Sequence, residues 1–152
     1  MRNQVVLLVD QDASVAEAIA LGLGSSRFSF LFAQDFQEAV RVLGDHGKEL
    51  SLVITDIEPR GPGLALLVAI KTFRQDLPVI VLTSMADPSI GQEARRRGAA
   101  RLLRKPIDFT ELRTVIRSVY EEESPVLDHT PVAITPLLPE PVATKTIQNA
   151  AL

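Results

Sequence analysis

The sequence predicts an α/β domain built on an open, doubly wound parallel sheet of five strands. Three observations point there: short apolar runs without alternation, stretches of helical period between them, and strand starts spaced roughly 22 to 27 residues apart. An unbroken apolar run means burial on both faces, which a parallel strand covered by helices requires. Five such units are too few to close a barrel, so the sheet stays open with helices on both faces.

The first strand falls at residues 5–9 and ends in Asp10. Ser14 with Glu17 resembles a capping box opening the first helix, Asp12 is itself read as a helix-capping acid there, and the helix's apolar face is Val15, Ile19 and Leu23. Residues 28–33 form the second strand, and Asp35 with Glu38 opens a helix that turns Phe36, Ala39, Val40 and Leu43 inward. The third strand is read at residues 52–54, followed by a helix with Leu64, Leu67, Val68 and Ile70 on its core face. Residues 79–82 make the fourth strand; Asp87 then Pro88 reads as N-cap and first helical position, and Gly98 as the stop. Leu102 and Leu103 mark a short fifth strand, and Asp108 with Glu111 opens the last helix, faced by Leu112, Val115, Ile116 and Val119.

Composition shifts near Ser124. The last 29 residues carry five of the ten prolines, no glycine and none of the seven aromatics. The expected division is therefore a domain at 1–123 and a Pro-rich extension at 124–152, flexible or docking on a partner. Sixteen Lys plus Arg against nineteen Asp plus Glu argue against a nucleic-acid coat. Arg95, Arg96 and Arg97 do not change that, because consecutive helical residues point about 100° apart and spread around the helix. No apolar run approaches the roughly 18 residues of a membrane span, and the absence of cysteine suits a reducing compartment. A soluble cytoplasmic protein is expected, with no direct nucleic-acid or membrane partner.

The polar residues of interest gather where strands end. Asp10, Gln11 and Asp12 follow the first strand, Thr55 and Asp56 the third, Thr83 and Ser84 the fourth, and Arg104, Lys105 and Pro106 the fifth. Ligands of open α/β sheets bind at that carboxyl edge, where the strand order reverses. Two carboxylates, a hydroxyl and an ammonium converging there suit phosphoryl chemistry. A phosphoryl group brings negative oxygens beside carboxylates, so a hard divalent cation on oxygen ligands must offset the repulsion, and Asp10 and Asp56 can hold it. Lys105 can pair with one phosphoryl oxygen and the Thr83 hydroxyl can donate to another. Lys105 also keeps Asp56 ionised as the nucleophile.

Residues from about 4 to 121 resemble the receiver domain of two-component response regulators. The resemblance rests on the ordered set Val-Asp-Gln-Asp at 9–12, Thr-Asp-Ile at 55–57, Gly63-Leu64, Leu-Thr-Ser at 82–84 and Lys-Pro at 105–106. It implies a flavodoxin-like sheet of order 2-1-3-4-5, with Asp56 as phosphoacceptor, Thr83 as switch hydroxyl and Lys105 as phosphate partner. It implies an acidic pocket at Asp10, Gln11 and Asp12, Mg2+ held by Asp10, Asp56 and the backbone carbonyl of Glu58, and a cis bond before Pro106. The implied partners are a histidine kinase or histidine phosphotransfer protein, a downstream protein, and a second copy through the fourth helix, fifth strand and fifth helix. Glu121, Glu122 and Glu123 offer charges for that last contact. Catalysis is limited to the chain's own phosphorylation and slow dephosphorylation, and output is expected from a partner or the extension.

Three departures stand out. Gln11 occupies the place of a second acid, which lowers the expected Mg2+ affinity. The loop after Asp56 is one residue shorter before Gly63, and Pro59 biases Glu58 toward extended geometry, turning its carbonyl elsewhere. Leu102 stands where the family carries an aromatic ring. Two alternatives follow: a degenerate receiver acting as a phosphorylation-independent interaction module, and a haloacid dehalogenase-like phosphatase in which Asp10 is the nucleophile. The second lacks the later acidic pair, since Lys105 is followed by Pro106 and a single Asp108.

Overall fold

Backbone groups of buried strands must find partners, and in this chain five apolar segments find them in one another. The computed structural model describes residues 3–57, 63–84 and 88–123. The elements run β1 (Gln4–Val9), α1 (Ala13–Leu23), β2 (Phe28–Ala33), α2 (Phe36–His46), β3 (Leu52–Ile57), α3 (Gly63–Phe73), β4 (Val79–Thr83), α4 (Pro88–Arg96), β5 (Arg101–Arg104) and α5 (Phe109–Glu123). All strand pairs are parallel, in the order β2-β1-β3-β4-β5. That is the expected doubly wound, flavodoxin-like order, with its reversal between β1 and β3.

The pleat divides the core into two layers. Leu7, Val9, Val53, Val79 and Val81 pack with Ala39, Leu43, Leu66, Leu67, Ile70 and Ala94 from α2, α3 and α4. Val6, Leu8, Leu52, Ile54, Ile80 and Leu82 alternate with them and are equally buried, as are Ala16, Ile19, Leu112 and Ile116 of α1 and α5. β2 departs from the expected burial on both faces. As an edge strand it leaves Ser29 exposed and Phe32 half-exposed. Val40 and Val68 also lie outside the core that their helical spacing predicts, because each sits at the margin of its helix's apolar arc.

Helix starts follow the capping logic, with one correction. Asp12, not Ser14, is the N-cap of α1: its carboxylate accepts from the Ser14 backbone N–H at 2.9 Å and from the Ser14 hydroxyl at 2.6 Å. Ser14 is thus a partner of the cap, and no Ser14–Glu17 box forms. Asp35 caps α2 by accepting from Glu38 N, while Glu38 reaches back to Gln34 N, one residue earlier than a capping box would. Asp108 caps α5 through Thr110 N and Glu111 N. Gly98 adopts a positive φ after α4, as a stop should. Asp87, the expected cap of α4, lies outside the described residues. The arginine triplet is solvated, with Arg96 and Arg97 paired to Glu93.

The chain divides into Met1–Val119 and Tyr120–Leu152. The expected extension at 124–152 lies outside the described residues. Among those described, no helix is long and apolar enough to cross a membrane.

Two helical glycines give opposite expected results. A Cβ on Gly22 would lie 2.5 Å from the Phe109 ring, so Gly22→Ala is expected to cost about 1–3 kcal/mol. A Cβ on Gly44 meets nothing within 4 Å, so Gly44→Ala should gain up to about 1 kcal/mol of helix propensity. Urea unfolding of both variants checks the pair.

Candidate functional site

Three of the four strand ends that the sequence singles out meet at one side chain. Asp10 directly follows β1 and its N–H extends the ladder to Ala33 O at 3.1 Å. Asp56 lies within β3, in register with Leu82. Lys105 follows β5, its own N–H held by the Thr83 carbonyl at 2.8 Å. From there the ammonium reaches Asp10 Oδ2 at 3.1 Å and Asp56 Oδ1 at 3.0 Å. The bond from Lys105 to Pro106 is cis.

Burial gives this cluster its electrostatic character. The Asp10 and Asp56 side chains are 5% and 6% exposed, and that of Lys105 is 19% exposed. Burial alone pulls the Lys105 ammonium down, but its hydrogen bonds to Asp56 and Asp10, and their charges, outweigh this and raise its pKa above the ordinary lysine value. Two carboxylates against one ammonium leave these three side chains with a net charge of −1, a setting that attracts a cation.

The other expected site residues divide. Thr83 is buried at the end of β4, beside Ile57 of β3 and Arg104 of β5, at the same sheet edge as the cluster. Gln11 is exposed, as is Asp12, which caps α1. Asp12 still serves the site through its backbone, because its N–H donates to Asp10 Oδ1 at 2.8 Å and fixes that carboxylate. Sequence reading missed this contact, although an Asp two residues before another is a common turn pattern. Glu58 lies outside the described residues. Leu102 lies in β5, one methyl 2.8 Å from where a Cβ on Gly91 would sit.

The donor set fits magnesium. Mg2+ takes hard oxygens and is held by one or two carboxylates, completing its shell with waters and phosphate oxygens; Asp10 and Asp56 offer such a pair. Among the described residues no group of three or more His, Cys, Asp or Glu side chains could hold a metal.

Asp12 yields a pH prediction. Hydrogen bonds from the Ser14 side chain and backbone hold its carboxyl below the usual value of 3.8. A depressed folded pKa contributes stability above the unfolded value that is lost as pH falls through the folded one. Asp12→Ala should therefore lower the urea midpoint at neutral pH, and the gap from wild type should close as pH falls below 3.8.

Residues 6–117 match the response regulator receiver domain family. The chain belongs to that family. The receiver domain resembles Transcriptional regulatory protein GlrR of Escherichia coli (strain K12), with 30% identity over 124 residues, 81% of this chain. The chain spans only 28% of that relative's length. A solved response regulator receiver domain protein from Clostridium thermocellum superposes with a TM-score of 0.73 at 26% identity, covering 79% of this chain and 96% of that one. The CheX-CheY-BeF3-Mg2+ complex from Borrelia burgdorferi has the same fold, with a TM-score of 0.73 at 24% identity over 78% of this chain and 90% of that one. Family membership removes the phosphatase reading with Asp10 as nucleophile. Receiver domains are phosphorylation-based signalling modules that bind Mg2+ in an acidic pocket and interact with histidine kinases and downstream effectors.

Proposed function

We propose that this receiver domain accepts a phosphoryl group on Asp56 from a phosphohistidine of a kinase or phosphotransfer protein. The observation that carries the reading is the single ammonium shared by two buried carboxylates at the end of the sheet. An Asp56 carboxylate oxygen attacks phosphorus, the P–N bond to the donor imidazole breaks, and its electron pair leaves with the nitrogen. The product is an acyl phosphate. Lys105 keeps Asp56 anionic before transfer and pairs with a phosphoryl oxygen after it, while the Thr83 hydroxyl donates to another. Asp10 is held in place by the Asp12 N–H and, with Asp56, would hold Mg2+; the carbonyl of Glu58, which completes the site in the family, is the ligand that Pro59 puts at odds with it. Bound there, Mg2+ offsets the charge of the phosphoryl oxygens against the carboxylates.

Hydrolysis by water returns Asp56 to the free carboxylate, which makes the domain a timed switch with slow self-dephosphorylation. The exposed Gln11 contributes no charge to the pocket, which supports weaker Mg2+ binding than an acid there would give. The switched surface comprises α4, β5 and α5, for a downstream protein or a second copy, with the Pro-rich extension as a further docking segment. The setting is the cytoplasm, without direct contact to nucleic acid or membrane.

Beryllofluoride with Mg2+, which forms a phosphoryl-like adduct on a carboxylate, tests this reading by NMR. The amide signals of Thr83 and Lys105 should shift in wild type and stay fixed in Asp56→Asn. Unchanged spectra in both would favour the phosphorylation-independent interaction module, the reading to which Gln11 lends weight.

A further inference from the structure

The two edges of the sheet are guarded very differently. β5 carries arginines at both ends, Arg101 and Arg104, and charged side chains are a common protection of an edge strand. β2, the opposite edge, reads Phe-Ser-Phe-Leu-Phe-Ala without a charge. Its rings Phe28, Phe30 and Phe32 form one row, with centroids 6.0 and 6.5 Å apart, and Phe32 is 49% exposed. Among the described residues β2 pairs only with β1.

Backbone direction decides what the free side of β2 offers. The Arg27 and Ala33 carbonyls accept from Gln4 N and Asp10 N, so odd-numbered residues turn their polar groups toward β1. Phe28, Phe30 and Phe32 therefore turn theirs outward. We infer that β2 is an interaction surface for a second copy of this chain, which pairs antiparallel with it about a two-fold axis through Leu31.

Symmetry and charge select that occupant and that register. A two-fold axis normal to the sheet keeps each face on its own side, so residues of equal parity must stand opposite. Centring on Leu31 sets Phe30 opposite the partner's Phe32 and Phe32 opposite the partner's Phe30. Both residues have outward backbone groups, giving reciprocal hydrogen bonds and cross-strand ring contacts. Phe28 faces the partner's Gln34, whose N–H is already held by Glu38, so that pair contributes the Gln34 carbonyl. At the strand's ends the exposed Arg27 faces the partner's exposed Asp35, twice by symmetry. Centring on Phe30 instead sets Arg27 opposite Ala33 and loses both charge pairs. A six-residue edge is small against the roughly 1,200 Å2 of a stable interface, so the association is weak and reversible. It lies at the other edge of the sheet from β5 and is independent of the switched surface proposed above.

Sedimentation velocity of the full chain from about 10 µM to about 1 mM tests the inference, a range bracketing weak association, together with backbone amide exchange at both ends of it. The expected result is a rise from monomer toward dimer with concentration, accompanied by new protection of the Phe30 and Phe32 amides. Phe32→Lys should abolish dimerisation, and Arg27→Glu should weaken it at least several-fold while urea unfolding stays close to wild type. A monomer at every concentration overturns the inference. So does a dimer insensitive to both substitutions, which would locate the contact elsewhere, such as α4, β5 and α5. Protection of the Phe30 and Phe32 amides independent of concentration would mean that another segment of the same chain occupies the edge, and would equally overturn it.

Discussion

Replacing Lys105 with methionine is expected to destabilise the domain by about 3 kcal/mol at neutral pH, because removing one partner of a buried ion cluster leaves its other charges uncompensated. Asp10 and Asp56 share that ammonium and are almost wholly buried, so the variant retains two adjacent carboxylates with little water to screen them. The pH dependence follows from linkage. The folded pKa of Lys105 is raised, so its contribution is complete below the ordinary value of 10.5 and is lost as pH climbs through the raised one. The difference between wild type and Lys105→Met should accordingly persist at neutral pH and shrink above 10.5. It should also shrink in acid, where protonation of the two carboxyls relieves their repulsion. Urea unfolding of both proteins across that range checks each limb, and equal stability at neutral pH would contradict the charge cluster.

Magnesium is expected to stabilise the wild-type domain, and Asp10→Ala to remove that effect. A ligand that binds only the folded state contributes RT ln(1 + [L]/Kd), about 1.4 kcal/mol at ten times Kd. Thermal unfolding against MgCl2 concentration reads this as a rising midpoint in wild type and a flat one in Asp10→Ala. Gln11→Asp should reach the same midpoint at lower MgCl2, since it restores an anion beside the pocket. An Asp10→Ala protein that responds to Mg2+ as wild type does would remove Asp10 from the metal site.

Much of this was legible in the sequence, for identifiable reasons. Unbroken runs such as residues 79–82 signal burial on both faces, and with helical stretches between them at regular spacing they gave the sheet type. Asp10, Asp56 and Lys105 stood at strand ends, and the rule that ligands gather there brought them together before any contact was known. What stayed hidden depends on neighbours that a linear pattern does not name. Asp12 was legible as a capping acid, but the Ser14–Glu17 box competed with it, and periodicity does not choose between positions two apart. Val40 and Val68 have the spacing of core residues, but their exposure depends on how far each helix is rotated against its neighbours. The Gly22 contact with Phe109 joins residues far apart in the chain, and a helical glycine does not announce which ring approaches it. The sharing of Lys105 by both acids is likewise a three-body arrangement; sequence anticipated its bond to Asp56, and the structure adds Asp10.

The most direct test of the account is intact-mass measurement after incubation with acetyl phosphate and Mg2+, followed by fragment mapping. The prediction is a mass gain of one phosphoryl group, mapped to Asp56, absent when EDTA is added and absent in Asp56→Asn. An unmodified wild-type chain, or a modification that survives in Asp56→Asn, would contradict it.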